Sequence, residues 1–161
     1  SMALGTMQVR LLDLIKSYAV FAGGGKAVAP YGLVEVRSAG GQLLYRRSPL
    51  NDAETLITSR EANTMTDMLQ RVIEAGSGKI ALLDRPAAGK TGTSQDSRDA
   101  WFAGFTADMV VGVWLGNDDN SPMKGITGGG LPAMVWRDFM IASHAGLPPR
   151  PLNTGNKAPT N

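Results

Sequence analysis

Residues 90–94 read Lys-Thr-Gly-Thr-Ser, a cation, three hydroxyls and a glycine in one short string. Two chemistries use such a combination. A phosphate loop sets the lysine on a nucleotide phosphate, whereas an extended strand can hold an acyl donor against a serine nucleophile. The loop requires glycine five positions before Gly89, and that position is Asp84, whose carboxylate would face the phosphate as a like charge. It should also open a long helix whose amides receive the anion. The chain instead runs on to Trp101-Phe102-Ala103-Gly104-Phe105, a strand-like run.

On a strand each residue type has a task. Lys90 supplies a positive charge near a nucleophile and a substrate carboxylate, and the hydroxyls of Thr91 and Thr93 donate to that carboxylate. Gly92 has no Cβ, so a peptide can lie alongside as an added strand. The amide N–H of Thr93 faces the developing oxyanion, a contact worth roughly 3 kcal/mol of barrier, and Ser94 adds a further hydroxyl. Lys90 and Thr93 are thus the candidate catalytic groups, within a binding stretch of Lys90, Thr91, Gly92, Thr93 and Ser94.

The elements that must position this string are legible in the pattern. Residues 9–22 carry a helical stripe of Leu11, Leu12, Ile15, Tyr18, Ala19 and Ala22, ended by Gly23-Gly24-Gly25. Residues 33–37 and 42–46 flank Ser38-Ala39-Gly40-Gly41 as a hairpin. Thr58 and Glu61 have capping-box spacing, and Met65, Met68, Leu69, Val72 and Ile73 continue a second helix to Gly76. Residues 87–94, 100–106 and 109–115 form three consecutive antiparallel strands, the last two joined at Ala107-Asp108. After a glycine-rich loop over residues 116–130, Pro132 at a first helical position opens a third helix with Val135, Trp136, Phe139 and Met140 on one face. The expected fold is therefore α/β of the α+β type, an antiparallel sheet with flanking amphipathic helices. From Leu147 on, prolines and small polar residues offer nothing to bury, so residues 148–161 are expected to form a flexible tail.

Composition narrows the function classes. The 161 residues carry a formal net charge of +2 without runs of like charge, too weak a field for nucleic acid or an anionic membrane surface. No cysteine is present, and the single His144 cannot build a metal cluster by itself, so neither metal nor cofactor is called for. No stretch reaches the ~18 uninterrupted apolar residues of a membrane span, and the chain is expected to be soluble. Ser1-Met2 reads as an expression scar.

Beyond these readings, "GKTGTS" followed by "RDAWFAGFTADMVVGVWLGNDDNSPMKGITGGGLPAMVWRDFM", with "ALGTMQVRLLDLIKSYAVFAGGGKAVAPYGL" near the start, closely resembles the C-terminal part of the transpeptidase domain of class A (1A-like) penicillin-binding proteins. The likeness covers residues 3–147. It implies a partial penicillin-binding-protein or serine β-lactamase-like fold and a parent enzyme that cross-links peptidoglycan. In that reaction a serine attacks a D-alanyl-D-alanine stem peptide, D-alanine leaves and a neighbouring amine takes the acyl group, while β-lactam antibiotics acylate the same serine. The implied location is the bacterial periplasm, with the parent anchored in the cytoplasmic membrane. The family's serine-x-x-lysine and serine-x-asparagine motifs precede the lysine strand, and neither stands there in this sequence. The one match, Ser121-Pro122-Met123-Lys124, follows Lys90, and its proline and the glycines after it disfavour the helix such a pair needs. The chain is accordingly expected to be inactive alone, with its partners the absent N-terminal part of its own domain and further copies of itself. A non-catalytic peptide- or protein-binding module is the alternative.

The remaining candidates have plainer readings. Trp101, Trp114 and Trp136 are expected in the core, and the eight methionines as its filler. Asp118-Asp119 reads as a polar turn, and His144 as a partner for free carbonyls at a helix end.

Overall fold

The computed structural model describes residues 8–48 and 53–154. Helix α1, Leu11–Ala22, stops in a glycine run where Gly24 and Gly25 take positive φ. Strands β1, Glu35–Arg37, and β2, Leu43–Arg46, pair antiparallel as the expected hairpin. Glu35 ties them by accepting from Arg37 and, at 2.6 and 2.9 Å, from Arg46. Those two guanidiniums hold its carboxyl below the usual carboxylate range. Helix α2, Ser59–Glu74, begins with the anticipated capping box. The hydroxyl of Thr58 accepts from the Glu61 N–H, and the Glu61 carboxylate accepts from the Thr58 N–H at 2.8 Å and its hydroxyl at 2.7 Å. Two orphan amides of the first turn are thereby satisfied.

Strands β3, Ala88–Thr93, β4, Asp99–Phe105, and β5, Val110–Gly116, form one antiparallel sheet in the order β3-β4-β5. Because side chains alternate between faces, Phe102 and Phe105 of β4 point to opposite sides and seed two clusters. On one side Phe102 packs on Trp136 with ring centroids 5.1 Å apart, joined by Ile73, Ala81, Ala87, Ala133 and Met140. On the other side Phe105 and Ala88 meet Leu69 and Leu152, with Tyr18 and Phe21 of α1 against them. Helix α2 thus reaches both clusters, through Leu69 and Ile73. The first half of β3 lies buried beside it, and the second half emerges.

Helix α3, Leu131–Ser143, differs from the expectation in two respects. Leu131 takes the first position and Pro132 the second, where the missing proline N–H is equally harmless. Its buried face is Pro132, Ala133, Trp136 and Met140, while Val135 is 43% and Phe139 51% exposed. Each residue turns the helix by roughly 100°, so the neighbours of Trp136 and Met140 swing off the sheet. His144 meets the carbonyl expected of it: its Nδ1 lies 2.7 Å from the Met140 oxygen, and its Nε2 lies 2.9 Å from the Thr106 hydroxyl. Since a carbonyl can only accept, Nδ1 carries the hydrogen, and in the neutral ring Nε2 accepts from Thr106.

Two further expectations are corrected. The segment after Leu147 does bury something: Leu152 sits in the second cluster, and Arg150 donates to the Ala107 carbonyl at 3.0 Å and pairs with Asp108. A single leucine among prolines gives no periodic signal. Among the methionines Met140 is core, but Met68 and Met134 are 55% and 39% exposed, because each lies beside its helix's buried stripe rather than on it.

Candidate substrate-binding edge

The lysine string lies on β3, extended through Thr93, and only residues 94–98, with a three-residue 3-10 turn at Gln95–Ser97, separate the strand from β4. This excludes the phosphate-loop geometry, in which the residues after the lysine wind into a long helix. Strand β3 is an edge of its sheet, and its register with β4 sets Lys90 opposite Ala103, Gly92 opposite Trp101 and Thr93 opposite Ala100. The Ser94 N–H donates to the Asp99 carbonyl at 3.0 Å. In an antiparallel ladder the bonded pairs alternate, so Gly92 and Lys90 also turn their backbone groups toward β4. The N–H and C=O groups of Thr91 and Thr93 therefore point away from the sheet. Thr93 itself is exposed.

Around this open edge the side chains are already engaged. The Lys90 ammonium donates to the outward carbonyl of Thr91 at 2.9 Å and to the Thr91 hydroxyl at 3.4 Å. The Thr91 hydroxyl lies 2.7 Å from the hydroxyl of Ser77, in the turn after α2. The Thr93 hydroxyl accepts the Gly128 N–H at 3.0 Å, and the Ser94 hydroxyl accepts the Asp99 N–H at 2.7 Å, closing the β3–β4 turn. Lys90, Thr91 and Thr93 thus share one open stretch, while Ser94 is committed to a turn.

Two glycines set the shape of the stretch. A Cβ on Gly128 would lie 2.4 Å from the carbonyl oxygens of both Gly92 and Trp101, closer than any side chain can come. The loop entering α3 therefore lies directly on the β3–β4 backbone, behind the open edge. A Cβ on Gly92 would meet Trp101 Cβ at 3.3 Å, so sheet packing also favours glycine there. Sequence reasoning passed over Ser77 and Gly128. Their signals, a serine at a helix stop and one glycine among several, are those of ordinary loops.

Elsewhere the candidates resolve simply. Ser121 lies outside any helix, its hydroxyl accepting from Asn117 at 3.0 Å and its N–H donating to the Asp119 carboxylate at 2.9 Å. These contacts with Ser121 hold the Asp119 carboxyl below its ordinary value. Asp118-Asp119 is the polar turn expected, and among the described residues no group of three or more His, Asp or Glu is placed to hold a metal ion. Of the tryptophans only Trp136 is fully buried. Trp101 and Trp114 lean on each other at 6.1 Å on the sheet face, and Trp114 is 38% exposed, its Nε1 donating to Asp99 at 2.9 Å. The core expectation fails there because no helix covers that corner of the sheet among the described residues.

Known proteins share this arrangement. Residues 1–139 match the transpeptidase family described as penicillin binding protein transpeptidase domain. Penicillin-binding protein 1A of Aquifex aeolicus is 37% identical over 142 residues, which cover 87% of this chain and 19% of that protein. That of Pseudomonas aeruginosa is 30% identical over 210 residues, covering 99% of this chain and 25% of the relative. Among solved structures, PonA1 from Mycobacterium tuberculosis in complex with penicillin V superposes with a TM-score of 0.84 at 28% identity, over 94% of this chain and 42% of its own. Penicillin-binding protein 1A from Haemophilus influenzae gives 0.85 at 26%, over 95% and 29%. The chain spans about one fifth of the length of the curated relatives it matches. With the lysine strand at an open sheet edge and the match running over most of its length, the chain belongs to the penicillin-binding protein transpeptidase domain family.

Proposed function

We propose that this chain is the C-terminal, substrate-holding part of a serine D,D-transpeptidase that cross-links peptidoglycan in the bacterial periplasm, its parent held at the cytoplasmic membrane. The observation that carries the reading is the open half of β3, where the Thr91 carbonyl, the Thr93 N–H and the Lys90 ammonium face the same unpaired side. An extended stem peptide ending in D-alanyl-D-alanine adds there as a strand, its backbone meeting the outward groups of Thr91 and Thr93. A serine from outside this chain attacks the carbonyl between the two D-alanines. The oxygen gains charge and takes the Thr93 N–H, the C–N bond breaks, D-alanine leaves with a proton, and an amine then displaces the serine. β-Lactams acylate the same serine in the complete domain.

By itself the chain holds peptide without turning it over, which supports the non-catalytic binding reading for the isolated piece. The only serine-x-x-lysine match in the sequence, Ser121 to Lys124, lies in a loop, without the helical turn that brings a base to a nucleophile. Calorimetric titration with a D-alanyl-D-alanine peptide should register binding, and a fluorescent penicillin should leave the chain unlabelled. Penicillin labelling abolished by heat denaturation would overturn the inactive assignment. No binding of peptide would overturn the edge assignment. The exposed apolar residues of α3 and β5, Val135, Phe139, Ile141 and Trp114 among them, further suit self-association or cover by the rest of the parent domain.

A further inference from the structure

The peptide-holding role of β3 leaves one cluster of side chains on the same sheet without a task. Side chains on a strand alternate between faces, so Asp99 and Trp101 of β4 share one face, and the register sets Trp114 opposite Trp101 and Gly116 opposite Asp99. The indole of Trp114 is held there on three sides. Its Nε1 donates to the Asp99 carboxylate at 2.9 Å. A Cβ on Gly116 would collide with the ring carbon Cζ2, so only glycine lets the indole lie this low on the strand. Trp101 closes the third side, its ring centroid 6.1 Å away and its plane tilted by 51°. Trp114 is nevertheless 38% exposed, and Trp101 and Asp99 are half-buried. The rings are fixed in place and open to a ligand.

The charge of this corner selects its occupant. The faces of the two indoles are negative. Beside them the Asp99 carboxylate gives one oxygen to Trp114 and keeps the other, Oδ2, without a hydrogen-bond partner among the described residues. The basic side chains around it are committed elsewhere, Arg98 to the Asn120 carbonyl and to Asp96, and Lys90 to the Thr91 carbonyl. An apolar cover would bury the carboxylate without a counter-charge, which is costly. An anion would be repelled by the carboxylate and the rings alike. An ammonium at the end of an alkyl chain satisfies both, its methylenes lying on the indole and its charge reaching the π face and the free carboxylate oxygen.

We propose that Asp99, Trp101 and Trp114 form a binding site for an alkylammonium group, the protonated form of the amine that accepts the acyl group. The acceptor role rests on the transpeptidase reading; the cation site itself does not. Its place in the fold suits that role. The Ser94 N–H donates to the Asp99 carbonyl at 3.0 Å, so Asp99 sits one strand, about 5 Å, inward from the residue that follows Thr93. An amine-ended side chain held there lies within its own length of the acyl group that the Thr93 N–H faces. As an ammonium it is captured and not yet a nucleophile. Asp99 and the two tryptophans are thus specificity residues for the second substrate, as β3 is for the first.

The test uses the whole 15N-labelled chain and the indole N–H resonances of its three tryptophans, with the buried Trp136 as internal control. The probes are Nα-acetyl-lysine N-methylamide, which carries one ammonium, and the same molecule acetylated on its ε-nitrogen, which carries none. The charged probe should shift Trp114 and Trp101 saturably, leave Trp136 in place and bind roughly threefold or more tightly than the neutral one, the scale of an exposed cation on an indole face. Asp99→Asn keeps an acceptor for the Trp114 N–H and should weaken the charged probe roughly threefold while leaving the neutral probe unchanged. Equal binding of the two probes by the wild type, or no loss in Asp99→Asn, overturns the site. So does a Trp114 signal that moves with protein concentration and not with the probe, which makes a second copy the occupant. A parallel titration with N-acetyl-D-alanyl-D-alanine, read at the β3 amides, separates the site from the edge. Peptide binding without cation binding overturns the site and leaves the edge standing, whereas cation binding without peptide binding upholds the site and removes its acceptor role together with the edge reading.

Discussion

The two edges of the three-stranded sheet are built oppositely. At β3 the emerging half carries Lys90, Thr91, Gly92 and Thr93, its outward carbonyl at Thr91 accepts from the Lys90 ammonium with one lone pair, and the loop through Gly128 backs its end. At β5 the sequence is Val-Val-Gly-Val-Trp-Leu-Gly, without a charge or a proline, and six of the seven residues are half-buried, with Trp114 exposed. Exposed edges ordinarily carry charges, prolines or bulges that discourage further pairing, and β5 has none of them. A strand apolar along its whole length is the pattern of a sheet interior. The contrast teaches that one edge is polar and partly answered by its own side chains, whereas the other is apolar along its length, the composition of a covered strand.

Three substitutions sharpen or break that contrast. The largest effect is expected from Gly128→Ala: the new Cβ would lie 2.4 Å from two backbone oxygens that cannot move aside, so the loop must lift from β3 at a cost of about 3 kcal/mol. Urea unfolding measures it, and a loss below about 1 kcal/mol would mean that the loop is not seated as described. Next comes Trp114→Lys on β5, which gives up the ring contact with Trp101 and the bond to Asp99 for about 1 kcal/mol. It should also shift sedimentation toward monomer; an unchanged distribution would show that β5 is not the associating edge. Smallest is Lys90→Ala, expected within about 0.5 kcal/mol of the parent because the side chain is exposed. A clearly larger destabilisation would make Lys90 a brace of the strand rather than a group held ready for a ligand.

How far the sequence foretold this depended on where the physical signal was local. The capping box of Thr58 and Glu61 is a pattern within four residues, and it formed as read. The hairpin announced itself by the glycines between its arms and the second and third strands of the sheet by β-branched and aromatic runs, and the strand ends moved by only a residue or two. Lys90 to Thr93 stood out as a candidate site because unlike side chains crowd a short span, and their extended conformation formed as read. Ser77 did not, since its meaning arises only when the turn after α2 folds back on β3. Gly128 was hidden for the complementary reason, that its importance lies in an atom it lacks. The inner face of α3 was misjudged at Val135 and Phe139, where hydrophobicity is even around the helix and only the sheet decides which side is covered.

The strap formed by Arg150 and Leu152 bears on how this chain can be shortened. Leu152 closes the cluster between Ala88, Phe105 and Leu69, and Arg150 reaches the turn at Ala107 and Asp108. A deletion that stops ahead of Arg150 therefore opens the hydrophobic interior to water at the foot of β3, on the strand that carries Lys90, although Arg150 and Leu152 themselves belong to no helix or strand.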